Sequence, residues 1–433
     1  GLYDTDILPE LHVRLRQSDW NTILVDETFD IEVPAYFWAT GSTEPEVLVS
    51  IRRKSATPIN GKVSFKIDIN EFDDFPEFGG AEEWHGVKKL SLENGDDVDL
   101  VSEGLAWFIH RLAQEQGIYP DYHDTGKANW ATLTVHLTEG CMVEPCGEFD
   151  LGEVVTTLEP LIYVNQEQPD KQFLKNRELW VSGETWLYKQ DEHALPPEVK
   201  EAGCEPEQVD SPATVALDCA PFIPGSGATT KGKGGNNGPA ACDLELVDQL
   251  VDMDVLLAQG AADAVAGNPD GVFTHVKNFY AVDFSTGGDC AGLPDKEFDD
   301  AARQKRLHFT WDLDEAIANV NQNVYGKVRK HRGQTELRQN GSEKQLLVDS
   351  GDLIFRTTYN TNLLVMTEPK FILAVQNFLD YSLQLIGPAL VADPNSKISN
   401  PAGHFNGLKN YLVNRAAVIR EQVCQDDPEL PGC

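Results

Sequence analysis

The spacing of apolar residues changes once along this chain, and that change constrains the fold more than any other feature. Up to about residue 165 the period is two. Residues 11–15 alternate (Leu-His-Val-Arg-Leu), and segments 30–37, 47–51 and 63–69 read as strands between Gly, Pro or Asn breaks. Such segments bury one face each and predict an antiparallel sheet. From Leu100 to Gln116 the rhythm turns helical, with Leu105, Phe108, Ile109 and Leu112 on one face and acidic residues ahead of them. This predicts a lone helix within or against the sheet. Strand character returns at 131–135 and 154–164, and the latter runs into a helix over 169–177, a candidate hinge. Beyond a Pro-, Gly-, Ser- and Asn-rich stretch at 196–241, helices are predicted over 244–266, 371–385 and 405–423. Two short strands, 279–284 and 307–311, precede the last two helices. A sheet-rich part over 1–165 and a helix-rich part over 166–433 predict an α+β protein with two lobes.

Charge and composition narrow the function classes. Lys and Arg number 35 against 70 Asp and Glu, a net charge of −35 that repels both a nucleic-acid backbone and an anionic membrane surface. With 41% hydrophobic residues the chain has the material for a sizeable core. No apolar run approaches the roughly 18 residues that a membrane span needs. The eight cysteines fit an oxidising compartment, with the close pairs Cys141/Cys146 and Cys424/Cys433 expected to staple small loops. Their spacing does not suit a zinc site. The chain starts at Gly1, and a targeting leader is expected to have been removed from a protein acting outside the cytoplasm. The sequon at Asn340 would be glycosylated only in a eukaryotic secretory route. The glycines of 225–238 lack the order of a P-loop and read as an exposed loop.

Chemistry concentrates after the long predicted helix. There the chain carries Asn268-Pro-Asp270-Gly, then Asn278, a strand, an insertion over 285–306, a second strand, and Trp311-Asp312-Leu-Asp314. In phosphoryl transfer by protein kinases a loop Asp orients the acceptor hydroxyl, a following Asn holds metal, and an Asp after two short strands chelates the same metal. Asp and Asn supply the hard oxygens that Mg²⁺ prefers. The same residues also have ordinary structural uses, since Asn-Pro-Asp-Gly is a turn signature and Asp-x-Asp often caps a helix. His275 is a competing ligand, disfavoured because Mg²⁺ prefers oxygen. Acidic turns at 71–74 and 95–99 do not fit a calcium loop, and no G-x-S-x-G supports hydrolase chemistry.

With these residues in view, the sequence resembles the CotH kinases, a family named for spore coat protein H. Residues 257–280 look like its helix-Asn-x-Asp-Gly block, and 307–314 look like its Trp-Asp-x-Asp block. Ile51-Arg-Arg-Lys-Ser55, Lys62-Val-Ser-Phe-Lys66, the helix bearing Glu103, 163–174 and Trp186-Leu-Tyr-Lys189 follow in the family's order over roughly residues 8–320. The resemblance implies a divergent bilobal protein-kinase-like fold, with a sheet-rich small lobe and a helix-rich large lobe. It further implies a secreted or surface kinase that passes the γ-phosphate of ATP, with Mg²⁺ or Mn²⁺, to Ser or Thr of extracytoplasmic proteins. Asp270 would be the catalytic residue, with Asn278 and Asp312 at the metal and Asp314 as the alternate. Lys66 would meet the nucleotide phosphates and be held by Glu103, Glu167 would sit beside the adenine, and Lys189 is a further phosphate candidate.

Two positions depart from the family pattern. Arg53-Lys54 replaces its Arg-Gly, removing a glycine through which backbone could approach phosphate, and Thr310 replaces its Pro. The altered corner motivates the alternative of a noncatalytic surface, coat or adhesive protein on the same fold. The protein substrate and the oligomeric state stay open.

Overall fold

The computed structural model describes residues 2–54, 61–95, 99–140, 147, 149–182, 185–190, 198–201, 244–274, 277–284, 305–325, 328–331, 334–337 and 353–433. Of the predicted loop at 196–241 only 198–201 is described, and it forms a strand rather than loop because it pairs with 187–189; the pair Cys141/Cys146, His275, most of the 285–306 insertion and Asn340 lie outside the described residues. The chain divides into two compact units, one of Gly1–Gly104, Lys127–Gln168 and Asn377–Leu408, the other of Leu105–Gly126, Pro169–Gln376 and Lys409–Cys433.

In the first unit β1 (Glu10–Arg16), α1 (Gln17–Val25), β2 (Val33–Ala39), β3 (Val47–Arg53), β4 (Phe65–Asp68) and β5 (Lys89–Glu93) precede helix α2 (Leu100–Glu115), which from Leu105 onward belongs to the second unit. β6 (Ala128–Glu139), β7 (Glu153–Thr157) and β8 (Leu161–Glu167) complete the sheet, in the order β1-β2-β3-β4-β5-β8-β6-β7. β1 also pairs with β6, in parallel, from Glu10↔Thr132 to Arg16↔Thr138. Seven strands therefore close on themselves, with β7 appended along β6. The alternation explains the barrel interior: Leu11, Val13, Leu15, Phe37, Val49, Ile51, Phe65, Ile67, Leu90, Leu92, Leu133 and Val135 all point inward and are buried. Each such side chain contributes about 1.5–3 kcal/mol by leaving water.

The bilobal kinase-like architecture implied by the resemblance is not what forms. The sheet-rich region is a closed seven-stranded barrel within a mixed α+β chain, not an antiparallel sheet with open edges. The physical cause is the length of β6. Its 12 residues pair with β8 through 128–133 and with β1 through 132–138, so one strand serves both neighbours and no edge of β1 is left open.

The second unit holds α3 (Lys171–Asn176), a four-stranded antiparallel sheet and most of the helices. The sheet is ordered β10-β9-β11-β12, from β9 (Thr185–Gln190), β10 (Glu198–Glu201), β11 (Phe279–Phe284) and β12 (Leu307–Thr310). The helices are α4 (Leu244–Leu250), α5 (Met253–Ala266), α6 (Leu353–Met366), α7 (Pro369–Ala392) and α8 (Pro401–Asp426), the last two also contributing residues to the first unit. β13 (Val328–His331) and β14 (Gln334–Leu337) form a separate hairpin. The helix predicted over 244–266 is broken in two. Asp252 leaves helical geometry, caps α5 by accepting from the Val255 N–H at 3.0 Å, and donates its own N–H to the Arg306 carbonyl. Arg306 in turn makes two bonds of 2.7 Å to Asp283, both fully buried, clasping β11 to β12. Helices α1 and α6 carry no strong periodic signal and were not foreseen. The expected staple Cys424–Cys433 is formed. No described helix is long and apolar enough to cross a membrane.

Among its described residues the first unit buries one ion pair completely. Lys62 Nζ lies 2.9 Å from Asp393 Oδ2, bonds the Ile162 carbonyl and sits 4.5 Å above the Tyr163 ring. Burial pulls the lysine pKa down, and the Asp393 charge opposes that. Lys62→Met, which strands a buried carboxylate, is expected to cost about 3–5 kcal/mol in urea unfolding. A loss below about 1 kcal/mol would show that Asp393 finds another partner.

Candidate active site

α5 delivers the loop that carries Asp270. The helix is buried along nearly its whole length and ends at Gly267, whose φ of 63° is a left-handed C-cap. A side chain there would meet the Tyr411 hydroxyl, so glycine is required on two counts. The turn that follows is organised by one buried carboxylate of the helix, Asp263. It accepts from Asn268 Nδ2 at 3.0 Å, from the Val272 N–H at 3.4 Å, and lies 3.3 Å from His110 Nε2. The other His110 nitrogen meets the Tyr119 hydroxyl at 2.8 Å. Asn268 passes the order on, since its side-chain oxygen accepts from the Asp270 N–H at 3.0 Å. Gly271 lets Asp263 approach, because a Cβ there would stand 2.5 Å from Oδ2.

Asp270 is 1% exposed, and its Oδ2 lies 2.6 Å from Lys277 Nζ. Burial alone would lower the Lys277 pKa, but the Asp270 hydrogen bond and charge, with the fields of Glu315 and Asp314, raise it. The ammonium therefore stays charged against the carboxylate. The next residue, Asn278, donates its N–H to the Gln190 carbonyl at 2.7 Å and accepts from the Trp311 N–H at 3.1 Å. Its side-chain amide donates to the Asp312 carbonyl at 3.4 Å. Asn278 and Asp312 both adopt left-handed backbone, at φ of 59° and 55°. Asn and Asp tolerate that region best among residues with a Cβ, and such strain concentrates at functional sites. Trp311 is wedged edge-on against Trp107 and Tyr280, at 6.5 and 5.5 Å between ring centroids, which fixes the strand end from which Asp312 turns.

Of the residues selected from sequence, the second unit thus joins Asn278 directly to Asp312 and links both by backbone to the Asp270 loop. Asp314 is half-buried and acts on Lys277 through its charge. Lys189 lies on β9, in register with Tyr280, its ammonium 6.0 Å from the Trp311 ring. Lys66, Glu103 and Glu167 belong to the first unit. Lys66 and Glu103 are not joined there. Glu103 is fully buried and accepts from Gln166, whereas Lys66 has Lys89, Arg52, Asp68 and Glu32 as its charged neighbours. Burial, then the Lys89 and Arg52 charges, push the Lys66 amine down to about 8. Glu167 bonds the Lys127 N–H at 3.2 Å. Three residues of consequence were not singled out beforehand: Lys277, Asp263 and His110. Asp263 could have been found as the carboxylate in the otherwise uncharged stretch 255–266 of its helix; Lys277 and His110 carry no comparable local signal.

The donors fit a hard divalent cation. One amide oxygen and one or two carboxylates, completed by phosphate oxygens and water, is how Mg²⁺ is commonly held. Among the described residues no three His, Cys, Asp or Glu side chains converge into a ready metal cage, so any ion here would depend on the phosphate it accompanies. The chain matches no known protein-family model and no curated protein.

Two buried histidines support this region. His123 stacks between Tyr119 and Phe309, and His308 lies on β12; burial first, then neighbouring Arg177 and Arg306 respectively, push both down to about 3. In the unfolded chain they protonate near 6.5, so below that pH the unfolded state binds more protons and stability falls until about pH 3. Each contributes a slope of up to about 1.4 kcal/mol per pH unit in that window. Thermal unfolding followed from pH 7 to 4 should show a steep loss that becomes shallower in His308→Gln; an unchanged slope would mean the imidazole is protonated when folded.

Proposed function

We propose that the second unit performs metal-assisted phosphoryl transfer from ATP to a hydroxyl of a secreted or surface protein. One observation carries this reading: Asn278 and Asp312, 34 residues apart in sequence, meet as two left-handed residues beside the pair of buried Asp270 and half-buried Lys277. The motif resemblance over the same residues supports it, and it rests on the local site alone, since closed-barrel architecture carries no function by itself.

In this reading Asp270 accepts the proton of the acceptor hydroxyl and aims its oxygen, the task of a positioned carboxylate in such transfers. Lys277 holds that carboxylate in place and offers positive charge next to the transferring group. Asn278 and Asp312 would hold Mg²⁺ or Mn²⁺, with Asp314 as a further oxygen donor. The bound ion and nucleotide would supply the phosphoryl group and neutralise its charge. Trp311, locked by Trp107 and Tyr280, keeps Asp312 at the strand end where it faces Asn278.

A noncatalytic surface protein is the second reading, and one observation favours it. The corner that departs from the family pattern is occupied structurally. Arg53 donates to the Leu24 and Asp26 carbonyls at 3.0 and 3.2 Å, and Lys54 pairs with Glu93. The readings separate in thermal unfolding with ATP and Mn²⁺, followed by a radiolabel transfer assay. Phosphotransfer predicts stabilisation of about 2.7 kcal/mol at a hundredfold excess over Kd, lost in Asp312→Ala. It also predicts an Asp270→Asn variant that keeps the stabilisation and loses about 10²–10⁴-fold in transfer. Absence of both stabilisation and transfer in the parent protein would leave the noncatalytic reading.

A further inference from the structure

The barrel of the first unit carries, on its outer face, a pair of imidazoles that the proposed chemistry does not use. His12 projects from β1 and His136 from β6, the two strands whose parallel pairing closes the barrel. His12 Nδ1 and His136 Nε2 face each other at 3.2 Å. Trp38, directly opposite His12 on β2, stacks on both rings, at 5.0 and 5.2 Å between centroids and within 19° of parallel. All three side chains are half-buried, so one side of the pair stays open to solvent.

The outer nitrogens decide what the inner ones can do. His12 Nε2 lies 2.8 Å from Thr40 Oγ1, and His136 Nδ1 lies 3.0 Å from Thr157 Oγ1. When each outer N–H donates to its threonine, both inner nitrogens present lone pairs to the same gap, and a cation seated there accepts both; in the other tautomer of either ring the two nitrogens share one N–H···N bond instead. Metal-ligating histidines are commonly held in one tautomer by an acceptor for the far N–H, a part the threonine hydroxyl can take here. The separation suits the task. Metal–nitrogen bonds of about 2.0–2.1 Å drawn from two nitrogens 3.2 Å apart meet at about 100°, between the octahedral and tetrahedral angles. Burial lowers both imidazole pKa values, with Glu10 opposing it at His12 and the His12 and Arg14 charges adding to it at His136, which favours the neutral, ligating form.

We infer that His12 and His136 form a binding site for one borderline divalent ion, Zn²⁺ or Cu²⁺, on the closing seam of the barrel. Imidazole nitrogen selects these ions over Mg²⁺ and Ca²⁺, so the site is chemically separate from the oxygen donors around Asp312. Among the described residues no third His, Cys, Asp or Glu joins the pair, so water completes the coordination and a face of the ion stays open. A bound ion would tie β1 to β6 through side chains as well as backbone.

Calorimetric titration of the full chain with ZnCl₂, in excess Mg²⁺ to occupy the acidic surface, tests the site directly. One Zn²⁺ per chain is expected, with affinity falling at least about tenfold in His12→Phe and in His136→Phe. Phenylalanine retains a ring stacked on Trp38 while removing the nitrogen. Undiminished affinity in either folded variant, or no Zn²⁺ binding below about a millimolar by the parent chain, would overturn the inference. Should the variants fail to fold, the paramagnetic resonance spectrum of the parent chain with one equivalent of Cu²⁺ decides: coupling to two imidazole nitrogens is expected, and its absence refutes the site.

Discussion

Closure of the barrel through the β1–β6 pair is the constraint on which the first unit depends. A strand edge leaves a row of backbone N–H and C=O groups unsatisfied, and β1 satisfies both of its edges, one against β2 and one against β6. With the seam shut, alternation along each strand sends one set of side chains into a continuous core and the other outward. The outward set then becomes available for other uses. His12 and His136 flank the seam, Lys66 and Arg52 sit opposite each other across β3 and β4, and Gln166 reaches Glu103 on α2.

The second unit is governed by a different economy, in which buried polar groups hold one another in place. Asp263 is buried in its helix, and it is tolerated because Asn268 and the Val272 N–H donate to it, with His110 Nε2 3.3 Å away. The result is a rigid turn that presents Asp270 beside Lys277. The β11–β12 hairpin, clasped by Arg306 and Asp283 at one end and by the Trp311 ring contacts at the other, brings Asp312 to Asn278. Half-satisfied, such a network would be worse than an apolar core.

Much of the local structure was legible in the residues. The strands around 11–15, 47–51, 279–284 and 307–310, helix α2, the helices at 369–392 and 401–426, and the Cys424–Cys433 staple all follow from periodicity or spacing. The break of the 244–266 helix was not legible, because Asp252 becomes a cap only when the Arg306 carbonyl is there to take its N–H. The small-lobe assignment fared similarly. Lys66 and Glu103 carry the right chemistry in the right order, yet the strand alternation sets Lys66 among Lys89, Arg52 and Asp68, while Glu103 is claimed by Gln166. Conversely, Lys277 gained its significance only when the chain folded back to place its ammonium on Asp270.

The sequence by itself determined which residues alternate, which recur at helical spacing, and that Asp270, Asn278 and Asp312 lie at or near element ends, because these properties depend on near neighbours along the chain. Tertiary structure decided that the sheet closes, that two histidines 124 residues apart face each other across the closing seam, and which lone carboxylate orders the Asp270 loop. Those outcomes depend on pairings between distant segments, and the free energy that selects them comes from satisfying strand edges and buried polar groups all at once, which no local window of residues records.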